Sequence, residues 1–286
     1  MTEPVFAAEA RKRFRDAYPE TAIRFLHNLH EHHLLTLPAL VELATSLPPQ
    51  HVEYNRADLP IGVDPADIPQ PTLDIAQTIE SIEQNGSWMV IKFVEQNPAY
   101  RALMTELLDE LKPIVAQATG PMLGLQGFVF ISSPGAVTPF HFDPEHNILM
   151  QIRGHKVMTV FPPENETFAP PLAHEAFHMG EHHRNLEWRD EFATRGKPYP
   201  LNPGEAVYVP VKAPHWVKNG EKVSISLSIT WRSEWSYAEA DARAFNRLLR
   251  RTGLSPLSPK RFPDQNKAKA IAYRALRRLG MTGRSA

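Results

Sequence analysis

The sequence predicts a mainly β fold with flanking helices, its core a double-stranded β-helix, or jelly roll. Two observations carry that expectation. After Gly120, short runs of β-forming residues alternate with Gly/Pro turns, the pattern of a sandwich or barrel. On both sides of that region, apolar residues recur at helical spacing.

Taken in order, residues 6–47 read as helical, with Phe25, Leu26, Leu29 and His33 on one face and Leu37, Leu40, Val41 and Leu43-Ala44 on the next. Pro38 suits the first turn of a second helix, and Pro48-Pro49 ends it. Residues 55–73 are rich in Pro and Asp without a period and are expected to form a loop. A short helix is expected from Thr72 to Asn85, a strand from Ser87 to Val94, and a helix from Asn97 to Ala118 interrupted near Pro113. The β-rich runs start at Gly127, Thr138, Asn147, His155, Ala206 and Val223, with a long polar insert at 164–200. Ser236-Tyr-Ala-Glu239 has the form of a capping box for a helix ending near Gly253. A Pro-rich linker then leads to a last helix with the stripe Ala268, Ile271, Ala272, Ala275, Leu279. The expected organisation is a helical N-terminal part (1–120) packed on the barrel, a jelly-roll core (121–235), and basic C-terminal helices (236–286).

Cysteine is absent from the 286 residues, which excludes disulfides and thiolate metal sites and leaves His, Asp and Glu as metal ligands. There is no membrane-length apolar run and no signal-peptide pattern, so a soluble cytoplasmic protein is expected. The net charge of −1 hides an asymmetry. From Arg243 onward there are twelve Lys/Arg and one acid, Asp264, so the tail is about +11 and the body about −12. Such a tail docks on its own acidic body or a second copy of it, or else on an acidic partner such as RNA; the first is preferred.

The chemistry is concentrated in Gly135-Ala-Val-Thr138-Pro-Phe-His141-Phe-Asp143 and Pro214-His215-Trp216. Residues two apart on a strand share a face, so His141 and Asp143 are expected to point together and Phe142 away. Two imidazoles and one carboxylate suit one face of an octahedral iron(II) site with positions left open. No Gly-rich phosphate loop or Gly-x-Ser-x-Gly elbow competes with this.

These residues resemble the two motifs of the cupin superfamily. Gly204, Pro210, His215 and Asn219 fit the intervals of the second motif; Gly135, His141 and Gly154 fit the first. Asp143 stands in place of the second His of that motif, and Asn147 in place of its Glu. With that change the segment 138–163 resembles the JmjC and cupin-like branch of 2-oxoglutarate-dependent oxygenases, in particular its asparaginyl-hydroxylase type. The resemblance is specific over residues 127–232. It implies Fe(II) held by His141, Asp143 and His215, with 2-oxoglutarate and O2 as co-substrates. It also implies that Lys156 pairs with the far carboxylate of 2-oxoglutarate, and that Thr138, Asn147 and a polar residue of the last strand, best matched by Ser228, hydrogen-bond it. Phe128 and Phe130 stand on the strand where a tyrosine often assists.

The expected activity is hydroxylation of an unactivated C–H, with a protein or peptide side chain preferred over RNA or a small molecule, and with C-terminal helices forming a homodimer. A non-catalytic cupin-like binding protein and a metal-dependent isomerase are the rivals. Two further His clusters, His27/His30/His32/His33 on an N-terminal helix and His174/His178/His182/His183, lack a matching partner and read as surface histidines rather than a zinc site. Trp216 and Trp231 are expected in the core or the pocket wall.

Overall fold

Two antiparallel sheets face each other in the computed structural model, which describes residues 3–56, 74–181 and 184–282. Among the described residues eleven strands run in chain order: β1 Ile23–Leu26, β2 Val52–Arg56, β3 Ser87–Lys92, β4 Leu123–Ser132, β5 Val137–His141, β6 His146–Arg153, β7 Lys156–Val160, β8 Lys197–Leu201, β9 Glu205–Val209, β10 His215–Asn219 and β11 Ser224–Arg232. The larger sheet has the order β1-β9-β6-β11-β4-β3-β2 and the smaller β5-β10-β7-β8, the two-sheet arrangement expected of the jelly roll. Among the described residues eight α-helices flank them: α1 Ala8–Ala17, α2 Leu37–Ser46, α3 Ile75–Glu80, α4 Pro98–Asp109, α5 Lys112–Thr119, α6 Pro171–His178, α7 Glu234–Arg251 and α8 Lys267–Arg278.

The period-2 pattern of β11 sorts the two faces of the larger sheet. Ile225, Leu227, Ile229 and Trp231 are buried against the N-terminal helices, together with Phe14, Leu107 and Val129. The alternate residues form a polar ladder on the inner face: Ser226 donates to Gln151 at 2.7 Å and Ser228 to Asn147 at 2.7 Å. Leu149, Met158, Val160, Val207 and Val217 form a second apolar cluster, drawn from both sheets.

Several expectations are corrected. Residues 6–47 are not all helical: Phe25 and Leu26 lie on β1, paired with β9, and the histidines His27 to His33 follow in short turns. Only Phe25 of that strand is buried, while Leu26 is 61% exposed, so the helical spacing there was coincidence. The part before residue 121 is thus not purely helical, since β1, β2 and β3 all join the larger sheet. The insert at 164–200 holds α6 and runs into β8, whose Pro198 and Pro200 are tolerated because β8 is an edge strand. The cap of α7 is Ser233, with Ser236 at its third position, so Glu239 is not a capping residue. On α8 the predicted stripe faces out, with Ile271 64% and Leu279 70% exposed, and the helix packs through Ala270 and Tyr273. The expected loop at 55–73 lies from residue 57 onward outside the described residues.

Half of the tail's twelve basic residues are paired with acids of the body. Arg243, Arg247, Arg250, Arg251, Arg261 and Arg274 pair with Glu239, Glu181, Glu175, Glu181, Glu20 and Asp241. No helix among the described residues is long and apolar enough to cross a membrane.

Gly154 turns the chain from β6 to β7 at φ +68°, and a Cβ there would lie 2.2 Å from the Val223 carbonyl oxygen. Gly154→Ala should therefore cost more than the roughly 1–2 kcal/mol of the left-handed backbone alone. Gly180→Ala, at φ +72° with open space around it, should cost only that. Urea unfolding of both variants checks the difference; equal losses would contradict a close approach of this turn to β11.

Candidate metal centre and its cavity

β5 and β10 are antiparallel neighbours, and their register sets His215 directly opposite His141. The two imidazole centroids are 4.2 Å apart. Asp143 lies just past the end of β5, where its carbonyl leaves the ladder and accepts the Lys212 N–H at 2.7 Å. Its side chain still points with His141, while Phe142 packs the other way against Phe177 and His174. Asp143 Oδ1 is 3.9 Å from His141 Nε2, and Oδ2 is 3.6 Å from His215 Nε2. Among the described residues, these three form the only group of His, Asp and Glu whose ligand atoms lie within 4.8 Å of one another.

Hydrogen bonding sets the tautomers. His141 Nδ1 donates to the Pro139 carbonyl at 2.7 Å and His215 Nδ1 to the Ala213 carbonyl at 2.9 Å. A carbonyl only accepts, so each Nδ1 carries the proton and each Nε2 lone pair faces the cluster. Burial, with repulsion from His215 and Arg184, lowers the His141 pKa to about 3. Burial likewise lowers that of His215. For Asp143, burial acts upward but is outweighed by Arg184 and the two imidazoles, and the pKa falls to about 2. Two neutral imidazoles and one carboxylate are the protonation states that a metal requires. Asn147 and Arg184 hold the carboxylate, Arg184 Nη1 at 2.8 Å from Oδ1.

The triad opens into a cavity of about 490 Å³, within the range of small-molecule sites. Thr138, Asn147, Lys156 and Ser228 all line it, so every residue singled out for the site in the sequence converges on one space. Lys156 is 4% exposed and, among the described residues, has no ion pair. Burial alone lowers its pKa to about 7. Phe128 and Phe130 line the same cavity, with Trp88 and Phe93.

Sequence reasoning missed two groups here. Arg184 comes from the insert, whose backbone docks on β5 through Leu186 N to Phe140 O at 2.9 Å. Glu145, whose pKa burial and the Asp143 charge raise to about 7, sits 3.7 Å from Arg232. Glu145 was detectable as an acid two residues from a ligand; no local pattern marks Arg184.

The remaining expectations sort cleanly. His27 is buried with Nε2 3.2 Å from the Gln151 carbonyl, a structural role. On α6 His174 is buried and His178 half-buried, rather than both being on the surface, and no third ligand joins them among the described residues. His182 and His183 lie outside the described residues. Trp231 is core, and Trp216 packs beside Phe140 and Phe161.

Comparison with known proteins agrees with this geometry. The cupin-like domain family matches residues 74–237. The Jumonji C domain-containing protein 5 of Drosophila melanogaster is 29% identical over 114 residues, 36% of this chain and 26% of its own length. The lysine-specific demethylase JMJ30 of Arabidopsis thaliana is 23% identical over 231 residues, 72% of this chain and 52% of its own. The chain thus spans between about a quarter and a half of these curated relatives. The X-ray structure of E. coli ycfD superimposes with a TM-score of 0.52 at 14% identity, covering 96% of this chain and 67% of that one, a likeness of fold.

Co(II) should bind the protein at this cluster. Asp143→Ala should weaken it beyond the roughly 10- to 100-fold that loss of a supporting hydrogen bond costs, and Asn147→Ala by about tenfold. Calorimetric titration measures both; an unchanged affinity in Asp143→Ala would place the metal elsewhere.

Proposed function

The chain belongs to the cupin-like domain family, and from that premise we propose that it is a cytoplasmic Fe(II)- and 2-oxoglutarate-dependent dioxygenase that hydroxylates an unactivated C–H of a protein side chain. One observation carries the reading: a buried lysine that has no ion pair among the described residues, in the same cavity as a His-Asp-His cluster. A desolvated ammonium in such a space calls for a carboxylate partner. Two imidazole nitrogens and one carboxylate oxygen fit Fe(II) and leave positions for a keto acid and for O2. When bound, the metal with 2-oxoglutarate and O2 supplies the oxidising power that converts C–H to C–OH, with succinate and CO2 as co-products.

The chain's own contributions follow from the geometry. His141, Asp143 and His215 hold the metal with lone pairs preset by the Pro139 and Ala213 carbonyls. Lys156 anchors the distal carboxylate of 2-oxoglutarate. Thr138 and Asn147 offer it hydrogen bonds; Ser228 donates its one proton to Asn147 Oδ1, which fixes that amide, and so supports the co-substrate through Asn147. The aromatic wall of Trp88, Phe93, Phe128 and Phe130 limits water around the reacting atoms.

A protein substrate is favoured by a relative whose name places its action on lysine. It is also favoured over RNA by the tail, where six arginines are already paired with body acids. The exposed face of α8 around Ile271 and Leu279 is the surface we assign to pairing with a second copy. Ile271→Asp with Leu279→Asp should then sediment as a monomer where the native chain sediments as a dimer.

Incubation with Fe(II), ascorbate, O2 and 2-oxoglutarate should yield succinate, and Asp143→Ala should not. The lysine adds a pH signature. Its pKa is about 7 in the empty cavity, and a bound dicarboxylate raises it, so binding takes up a proton. Affinity is therefore full below about pH 7 and falls, by up to about tenfold per pH unit, above it. Calorimetry of 2-oxoglutarate with the Co(II)-loaded protein should show this slope, and Lys156→Met should abolish both slope and tight binding. Tight, pH-independent binding in Lys156→Met would refute the anchor.

A further inference from the structure

A second fully buried lysine, Lys212, lies outside the cavity lining and three residues before His215. Its backbone is left-handed at φ +61°, which L-residues rarely adopt and which glycine or asparagine would fill more readily. Its N–H holds the Asp143 carbonyl at 2.7 Å. Its ammonium pairs with Glu239 of α7, which has no exposed surface, and the other oxygen of Glu239 takes Arg243. The turn that carries Lys212 is closed by Ala213 N to Pro210 O at 3.1 Å, and Ala213 O in turn accepts His215 Nδ1. One turn therefore touches two of the three metal ligands, and one side chain ties that turn to a helix.

A buried ion pair seldom adds stability over an apolar pair of the same volume; what it does is demand a specific geometry. We propose that Lys212 and Glu239 are positioning residues for the metal centre: α7, through this pair, fixes the 210–213 turn and with it the backbone of Asp143 and the ring of His215. The inference rests on the metal reading above for its consequence, but not for the brace itself. Arg243 supplies the internal control, because it pairs with the same carboxylate and, among the described residues, makes no hydrogen bond or ion pair with the turn or with His141, Asp143 or His215.

The test compares Lys212→Met with Arg243→Met by hydrogen exchange of residues 211–215 in the metal-free protein and by Co(II) titration. Lys212→Met leaves Glu239 paired with Arg243, and Arg243→Met leaves it paired with Lys212, so neither strands the acid. Lys212→Met should speed exchange in 211–215 and weaken Co(II) by about 10- to 100-fold. Arg243→Met should do neither, even where its melting temperature falls as far. Should Lys212→Met not fold, Lys212→Gln, which keeps a hydrogen bond to Glu239 without the charge, carries the same comparison. Unchanged exchange in the Lys212 variant, or equal loosening in both, would overturn the brace. Failure of the native chain to bind Co(II) would count against the metal reading instead, and the exchange measurement would still decide the brace.

Discussion

The site depends on the register of β10 between its two neighbours. β10 sets His215 opposite His141 on β5 and opposite Val160 on β7, and its other end sets Asn219 opposite Lys156. A slip of one residue would turn His215 out of the cavity and carry the whole strand's pattern with it. The same ladder sets the spacing between the His-Asp-His cluster and Lys156: the four steps of β7 from Lys156 to Val160 span roughly 13 Å. The reach of a lysine side chain shortens that gap to the scale of a five-carbon dicarboxylate. The irregularity between His215 and Val217 sits at the metal end of this ladder, where a bulge re-aims a side chain without moving the strand.

Two buried lysines show how the same residue type carries different meaning. Lys212 is compensated inside the protein by Glu239, and its role is to hold backbone in place. Lys156 faces the cavity and has no ion pair among the described residues, which leaves it open to a counter-charge brought by a ligand. Burial depresses both pKa values, so the depression alone does not separate them. The presence or absence of a carboxylate at hydrogen-bonding distance does.

The legible parts of the molecule are those whose signal is local in sequence. His141 and Asp143 are two apart, and β11 alternates between hydroxyl and apolar residues from Ser224 to Trp231, so a period of two was enough to orient both. The fold class followed from the runs after Gly120. What failed was local signal overridden by tertiary pairing. Phe25 and Leu29 mimic a helix face, yet β9 offers the backbone of Ile23–Leu26 a ladder. Pro198 and Pro200 argue against a strand, yet β8 lies at an edge where their missing N–H groups are not needed. Ser236 and Glu239 imitate a capping box, but Ser233 caps the helix and Glu239 is drawn inward by Lys212 and Arg243. Arg184 was out of reach altogether, because its partner Asp143 is far away in sequence and shares no motif with it.

The departure from the His-x-His of the cupin motif explains why Arg184 is there. A histidine ligand presents one lone pair and satisfies its other nitrogen on the backbone, as His141 and His215 do. A carboxylate presents two oxygens, and a metal that takes both loses an open position. Here Oδ1 is engaged by Arg184 at 2.8 Å, while Oδ2 faces His215. Engaging one oxygen would favour single-atom ligation of a metal by the other, leaving positions open at that metal. Arg184 is held in turn by the extra backbone pairing of the insert along β5, His141 with Asn185 and Phe140 with Leu186. The placement of the insert and the orientation of the Asp143 carboxylate are therefore one constraint.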